Sequence, residues 1–232
     1  MRIVILAAGM GKRMLPLTAN KNKCLLEING KPIIRHQLDE IRKLGIKDIL
    51  LVCGYRMDDL KKYLGNSVNY RFNLFYATTN SVVSIWLARD LLDDDIVVIN
   101  SDVVFEASIL DDLVKHPDGI CVALSKKWDA NKGYKVRLNG ENVVEMAMGI
   151  APDKVGGEYA GIIKISKNSL PVFISALDDY MKEKKFGAWY EDVVVETISR
   201  GIKASYAAVD GKKWCEIDTP QELEEARKLL EG

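Results

Sequence analysis

Residues 2–18 read Arg-Ile-Val-Ile-Leu-Ala-Ala-Gly-Met-Gly-Lys-Arg-Met-Leu-Pro-Leu-Thr, and their order of apolar, small and basic residues sets the fold. Arg2–Ala7 is short, apolar and closed by glycine, as a buried strand is. The small residues at 7–9 and 11 let the backbone approach a ligand, and unpaired amides there can bind phosphate oxygens. Lys12 and Arg13 add positive charge where a triphosphate needs it. Two familiar phosphate loops do not fit. A dinucleotide fingerprint needs a third glycine where Met14 stands, and a helix at once where Pro16 and polar residues prolong the loop. A Walker A loop needs Ser or Thr where Arg13 stands, and a glycine where Leu6 stands. Alone, the stretch reads equally well as a strand and a turn with two glycines.

The alternation continues outward. Pro32 to Leu44 places Ile33, Ile34, Leu38, Ile41 and Leu44 at helical spacing, with Gly45 just past the end. Asp48–Gly54 reads as a buried strand, Met57–Leu64 as a helix and Tyr70–Tyr76 as a strand. Ser81–Leu92 follows as a helix, and Asp95–Asn100 as a strand ending at Ser101-Asp102. This order predicts an α/β fold with a doubly wound, mostly parallel central sheet and helices on both faces. The second half is less regular. A helix near Ser108–Lys115 leads to a strand at Gly119–Leu124, and Lys135–Leu138 with Val143–Met148 form a hairpin across Asn139-Gly140. Glu158–Ile165 is strand-like, helices follow near Ser169–Glu183 and Tyr190–Ser199, and a strand near Ala204–Val209. Asp218 or Thr219 caps a final helix that has Pro220 in its first turn. With no repeat or linker, the expectation is a single domain over 1–232 with a small antiparallel, substrate-facing lobe.

Lys plus Arg and Asp plus Glu each total 33, and the zero net charge argues against general nucleic-acid or anionic-membrane binding. No stretch approaches the ~20 apolar residues that span a bilayer, and Met1 to Ala8 is too short for a signal-peptide core. Cys24, Cys53, Cys121 and Cys215 stand apart in sequence, and with only His36 and His116 beside them a zinc site is not expected. A cytoplasmic protein with reduced thiols is the simplest expectation.

Asp102 lies at a strand's carboxyl end, where ligands bind in open α/β sheets and where aspartates also serve as turn or cap residues. Asp218, in Trp-Cys-Glu-Ile-Asp-Thr-Pro at 214–220, has the same two readings. The string L-A-A-G-x-G-x-R-x-x-P-L-T at 6–18, followed by Lys23 and Gly30-Lys31-Pro32, closely resembles the signature of the nucleotidyltransferase superfamily that includes the sugar-1-phosphate nucleotidylyltransferases. The resemblance implies their glycosyltransferase-A-like, Rossmann-like three-layer fold. It further implies that Leu6, Ala7, Ala8, Gly9 and Gly11 wrap the base and phosphates, with Lys12 beside them. Arg13 would contact the β- and γ-phosphates, Lys23 the α-phosphate, and Asp102 and Asp218 would bind Mg²⁺. One departure is Asn22, where the family usually has proline before the lysine. Oxygen ligands suit Mg²⁺, and an acceptor phosphate is already an anionic nucleophile, so the chemistry requires no general base.

The stretch Thr78-Thr79-Asn80-Ser81-Val82-Val83-Ser84-Ile85-Trp86-Leu87-Ala88, with Glu158-Tyr159-Ala160-Gly161-Ile162 and Trp189-Tyr190-Glu191-Asp192, resembles the phosphocholine cytidylyltransferase branch. By that resemblance Asn80 and Ser84 contact base or ribose, which favours CTP. Tyr134, Tyr159, Trp189, Tyr190 and Trp214, with Glu158, Glu191 and Glu216, are the candidate acceptor residues. Aromatics with carboxylates suit an ammonium group, and aromatics equally serve as core. The expected activity is CMP transfer from CTP to a small phosphorylated alcohol such as phosphocholine, with release of pyrophosphate. The alternative is a sugar- or polyol-phosphate nucleotidylyltransferase using UTP, dTTP, GTP or CTP. A nucleotide-sensing regulatory subunit predicts damaged catalytic positions, yet Arg13, Lys23, Asp102 and Asp218 are all present. The expected partners are thus the triphosphate and the phosphorylated acceptor, without nucleic acid or membrane insertion, and a homodimer is compatible.

Overall fold

The structure, a computed structural model, describes residues 1–117 and 119–231. Asp118 and Gly232, which fall within the expected unit 1–232, lie outside the described residues. The first half runs β1 (Arg2–Ala7), β2 (Glu27–Ile28), β3 (Lys31–Pro32), α1 (Ile33–Lys43), β4 (Ile49–Cys53), α2 (Met57–Leu64) and β5 (Asn69–Phe72). Then come α3 (Ser81–Leu87), β6 (Ile96–Asn100), β7 (Val103–Phe105), α4 (Ala107–Lys115) and β8 (Ile120–Ser125). The second half adds β9 (Lys135–Asn139), β10 (Asn142–Ala147), β11 (Gly157–Ile165), α5 (Leu170–Lys182), α6 (Tyr190–Ser199), β12 (Ala204–Ala208), β13 (Trp214–Glu216) and α7 (Pro220–Leu229).

Among the described residues, nine strands form one sheet in the order β5-β4-β1-β6-β11-β8-β12-β10-β9. β1 is parallel to both β4 and β6, with Val4 opposite Leu50 and Val98. Period-two alternation sends successive side chains of such strands to opposite faces. Val4 and Val98 join the core with α3, α5 and α6, whereas Ile3, Ile5, Val97 and Ile99 face that with α1, α2 and α4. Each fully buried Ile or Val contributes roughly 1.5–3 kcal/mol, so the continuous apolar run of β1 dictates a strand covered on both sides.

Some expected boundaries move, for local reasons. The strand expected at Tyr70–Tyr76 ends at Phe72, because the Asn73 side-chain oxygen accepts the Phe75 amide and turns the chain. The helix expected over Ser81–Leu92 ends at Leu87 and tightens into a 3₁₀ turn at Arg89–Leu91. The antiparallel part expected in the second half is continuous with the main sheet. β11 inserts antiparallel between β6 and β8, and the β9–β10 hairpin forms the far edge. Two further ladders, β7 with β13 and β2 with β3, were not expected from sequence.

β11 carries an irregularity that shapes the site. Its pairing with β8 shifts register between Tyr159 and Ile163, and Gly161 lies in this stretch at φ +76°. A Cβ on Gly161 would stand 2.5 Å from Val103 Cγ2. The shift leaves the Ala160 carbonyl to accept the Trp214 indole N–H at 2.8 Å, tying β13 to the main sheet. Gly161→Ala is therefore expected to lose about 1–3 kcal/mol through backbone strain and overpacking. A thermal melt checks this, at roughly 2–4 °C per kcal/mol for a chain of this size. A Val103→Ala background should recover part of the loss. An unchanged melt in the single variant would show that the bulge does not need glycine.

Candidate functional site

The site forms where β1 and β6 end, since their carboxyl termini open on the same edge of the sheet. From β1 the chain enters Ala8–Gly11, where Gly11 adopts φ +59° with Thr18 Oγ1 donating to its carbonyl at 2.8 Å. A Cβ on Gly11 would come within 3.0 Å of Lys23 Cβ, so close passage of the two loops requires glycine there. A 3₁₀ turn over Lys12–Met14 follows, and fully buried Met14 plugs it into a small core beneath α7.

Lys23 opens the next 3₁₀ turn, and Asn22 sets its position. The Asn22 side chain accepts the Cys24 amide at 3.1 Å and donates to the carbonyls of Tyr55 at 2.8 Å and Ala7 at 3.4 Å. Its φ of −65° is the value a proline ring would impose, so hydrogen bonds hold the conformation in place of a ring.

Asp102 and Asp218 are brought together by the β7–β13 ladder. Glu216 pairs with Val103, and the Ile217 amide donates to the Asp102 carbonyl at 2.9 Å, so the two aspartates flank one end of that ladder. Thr219 caps α7 in a capping box with Glu222. The Glu222 carboxylate also accepts the Asp218 amide at 2.8 Å, which leaves the Asp218 carboxylate free to face the cleft. Lys23 Nζ lies 2.8 Å from Asp102 Oδ2 and 2.7 Å from Asp218 Oδ1, and an Arg13 guanidinium nitrogen is 2.8 Å from Asp218 Oδ2. Burial opposes the charge on Lys23, but the two carboxylates outweigh it and hold its pKa above the ordinary lysine value.

Asp102 Oδ1 is buried without a hydrogen-bond partner. Two converging carboxylates, one with an unused oxygen, fit Mg²⁺, which takes one or two protein carboxylates beside water and phosphate oxygens. Among the described residues, no group of three or more His, Cys, Asp or Glu gathers into a cage that would hold a metal alone.

These residues share one cleft of ≈ 490 Å³. Of the residues singled out from sequence, it is lined by Leu6, Ala8, Gly9, Gly11, Lys12, Arg13, Lys23, Asn80, Ser84, Asp102 and Asp218. Tyr134, Tyr159, Trp189, Glu191 and Glu216 line the same cleft. Asn80 caps α3, accepting the Ser81 amide at 2.9 Å, and buried Ser84 accepts a hydrogen bond from Asn73 at 3.0 Å. Burial pushes the Glu191 carboxyl up to about 8, against a hydrogen bond from Asn100 that lowers it, and one of its oxygens has no partner. Glu216 is likewise pushed up to about 8, by burial first and then by the charges of Asp102 and Asp218.

Four expected site residues do not line this cleft. Ala7 is buried in the core, paired across the sheet with Cys53. Tyr190 is fully buried and spends its hydroxyl on Tyr159. Glu158 is committed to an ion pair with buried Lys135 at 2.9 Å, and Trp214 to the Ala160 carbonyl. Glu158 and Trp214 instead line a second cavity of ≈ 440 Å³, for which Glu216 is a shared wall. Asn22, Asn73 and Asn100 also line the main cleft and are not among the candidate site residues. Asn22 alone carried a signal, as the residue standing where a proline was expected.

A family model described as nucleotidyl transferase matches residues 2–134. A CTP:phosphoglutamine cytidylyltransferase of Campylobacter jejuni is 28% identical across 97% of this chain and 98% of its own. A choline-phosphate cytidylyltransferase of Streptococcus pneumoniae is 26% identical across 100% of this chain and 99% of its own. The solved inositol-1-phosphate CTP transferase from T. maritima shares the fold at a TM-score of 0.82 and 19% identity, over 100% of this chain and 96% of that one. With its β1 loop, Lys23 and paired aspartates in one cleft, the chain belongs to the nucleotidyl transferase family, near its cytidylyltransferase members.

Proposed function

We propose that the chain transfers CMP from CTP to a small phosphorylated alcohol bearing a cationic end, phosphocholine or a relative, and releases pyrophosphate. The observation that carries this reading is the cluster of Lys23, Arg13, Asp102 and Asp218 at the β1 loop, in one cleft with Tyr134, Tyr159, Trp189 and the carboxyls of Glu191 and Glu216. Backbone amides of Ala8–Gly11 receive the phosphates, and Arg13 and Lys12 neutralise them. An acceptor phosphate oxygen attacks the α-phosphorus, the bond from that phosphorus to the bridging oxygen breaks, and pyrophosphate leaves. Lys23, exchanging its carboxylate partners for α-phosphate oxygens, stabilises charge in the transition state. Asp102 and Asp218 would hold Mg²⁺, which when bound would supply further positive charge to those oxygens.

The acceptor's cationic end is assigned to Glu191 and Trp189 in the same cleft. Glu191 is a buried carboxyl with a free acceptor oxygen, and the neighbouring Trp189 ring is 43% exposed, which leaves an aromatic surface for an ammonium group. The cytidylyltransferase relatives support the choice of CTP.

Trials of CTP, UTP, GTP and dTTP against amino-alcohol phosphates, hexose 1-phosphates and polyol phosphates, read by pyrophosphate release, test the assignment. CTP with an amino-alcohol phosphate is expected to give the highest kcat/KM. Turnover with hexose 1-phosphates and none with amino-alcohol phosphates would sink the acceptor assignment. Lys23→Ala and Asp102→Ala should each lower kcat by roughly 10²–10³-fold with little change in thermal melt, and near-normal turnover in either removes that residue from the chemistry.

Glu191 gives a pH test. Its carboxyl, at about 8, becomes neutral as pH falls and then no longer attracts a cation. The acceptor KM is expected to rise between pH 9 and pH 7, by up to about tenfold per unit below the pKa. Glu191→Gln should flatten that profile and keep KM high throughout. An acceptor KM that ignores both pH and the substitution contradicts the role.

A further inference from the structure

We propose that Gln37, which does not line the cleft, is a positioning residue for Asp102 and thereby sets the site's affinity for a divalent cation. The inference rests on Asp102 being a metal ligand, as proposed above. Gln37 lies on α1 between Ile34, Leu38 and Ile41, on the helix face that packs into the core, and it is 0% exposed. Its neighbours on that face are apolar. Its own amide nitrogen donates to the Asn100 carbonyl at 2.8 Å and to the Val103 carbonyl at 2.7 Å.

Those carbonyls stand on either side of Ser101-Asp102. The carbonyl of Asp102 itself is held by the Ile217 amide at 2.9 Å. Three carbonyls around the aspartate are thus fastened, two of them by one side chain. Both Gln37 partners can only accept, which determines which end of the amide faces the turn. The other end, Oε1, is buried with no partner. An orphaned buried acceptor costs stability, so the residue favours the geometry of the 100–103 turn at the expense of the fold. The direction of the Asp102 carboxylate follows from that turn, and partners that orient a metal ligand commonly govern affinity without touching the ion.

The test uses the full chain with CTP and Mn²⁺ as the probe, binding being read by electron paramagnetic resonance against a protein-free Mn²⁺–CTP control, beside the Mg²⁺ dependence of turnover and a thermal melt. Gln37→Met removes both donors and the orphaned oxygen. Gln37→Glu keeps the size and cannot donate to both carbonyls. Each is expected to weaken Mn²⁺ binding and raise the Mg²⁺ concentration for half-maximal rate by about tenfold. Ile34→Val, a packing control on the same helix face, should lower the melt without moving either value. Asp102→Asn should abolish the same Mn²⁺ binding. Wild-type Mn²⁺ affinity and Mg²⁺ dependence in folded Gln37 variants overturn the proposal, as does failure of both variants to fold, which would assign the amide to the fold alone. Wild-type Mn²⁺ binding in Asp102→Asn instead overturns the reading of Asp102 beneath it.

Discussion

A ladder of three residue pairs between β7 and β13 brings an aspartate from the middle of the chain to one near its end, and the site depends on that pairing. The ladder is too short to be stable alone. It is held by the Trp214 indole on the Ala160 carbonyl, by the Ile217 amide on the Asp102 carbonyl, and by the Val104 and Ile217 side chains in the small core under α7. Each of these contacts joins parts distant in sequence. The β11 irregularity at Gly161, the seat of Met14 and the capping of α7 all adjoin the same junction.

The principal strands and helices were legible because their signals are local. Uninterrupted apolar runs mark β1, β4 and β6, and helical spacing marks α1. The β1 loop, Lys23, Asp102 and Asp218 were legible as a string and as strand-end acids. The β7–β13 ladder was not, since three-residue strands show no alternation and their pairing is non-local. The aromatic and acidic lining of the cleft was only half legible. Trp189 precedes α6 on extended backbone (φ −87°, ψ 156°), and Tyr190, Glu191 and Asp192, the first helical residues, point about 100° apart in turn, so the four cannot all face one cleft. Trp189 and Glu191 line it while Tyr190 fills the core. Glu158 was drawn away by Lys135, a partner whose burial no sequence pattern announced.

Asparagine and glutamine are the residues whose roles were hardest to foresee. Asn22, Gln37, Asn73 and Asn80 are neutral and ordinary in composition, yet each uses its amide to fix backbone beside the cleft. A short amide can donate and accept at once, which suits it to turns where carbonyls and amides of different segments meet. Such roles depend on where distant segments end, and for that reason they emerge only from the fold.

The ammonium of Lys23 between two carboxylates also bears on which anions the resting cleft will hold. A cation whose charge is already balanced offers little to a single inorganic phosphate, because binding would break two ion pairs and return one. On the proposed reading, a nucleotide arriving with its own divalent cation would replace both partners together, the metal taking the carboxylates and the phosphates taking the lysine. Discrimination would then come from the exchange itself, since a lone anion meets internal charge pairing that a ligand bringing charge of both signs can replace.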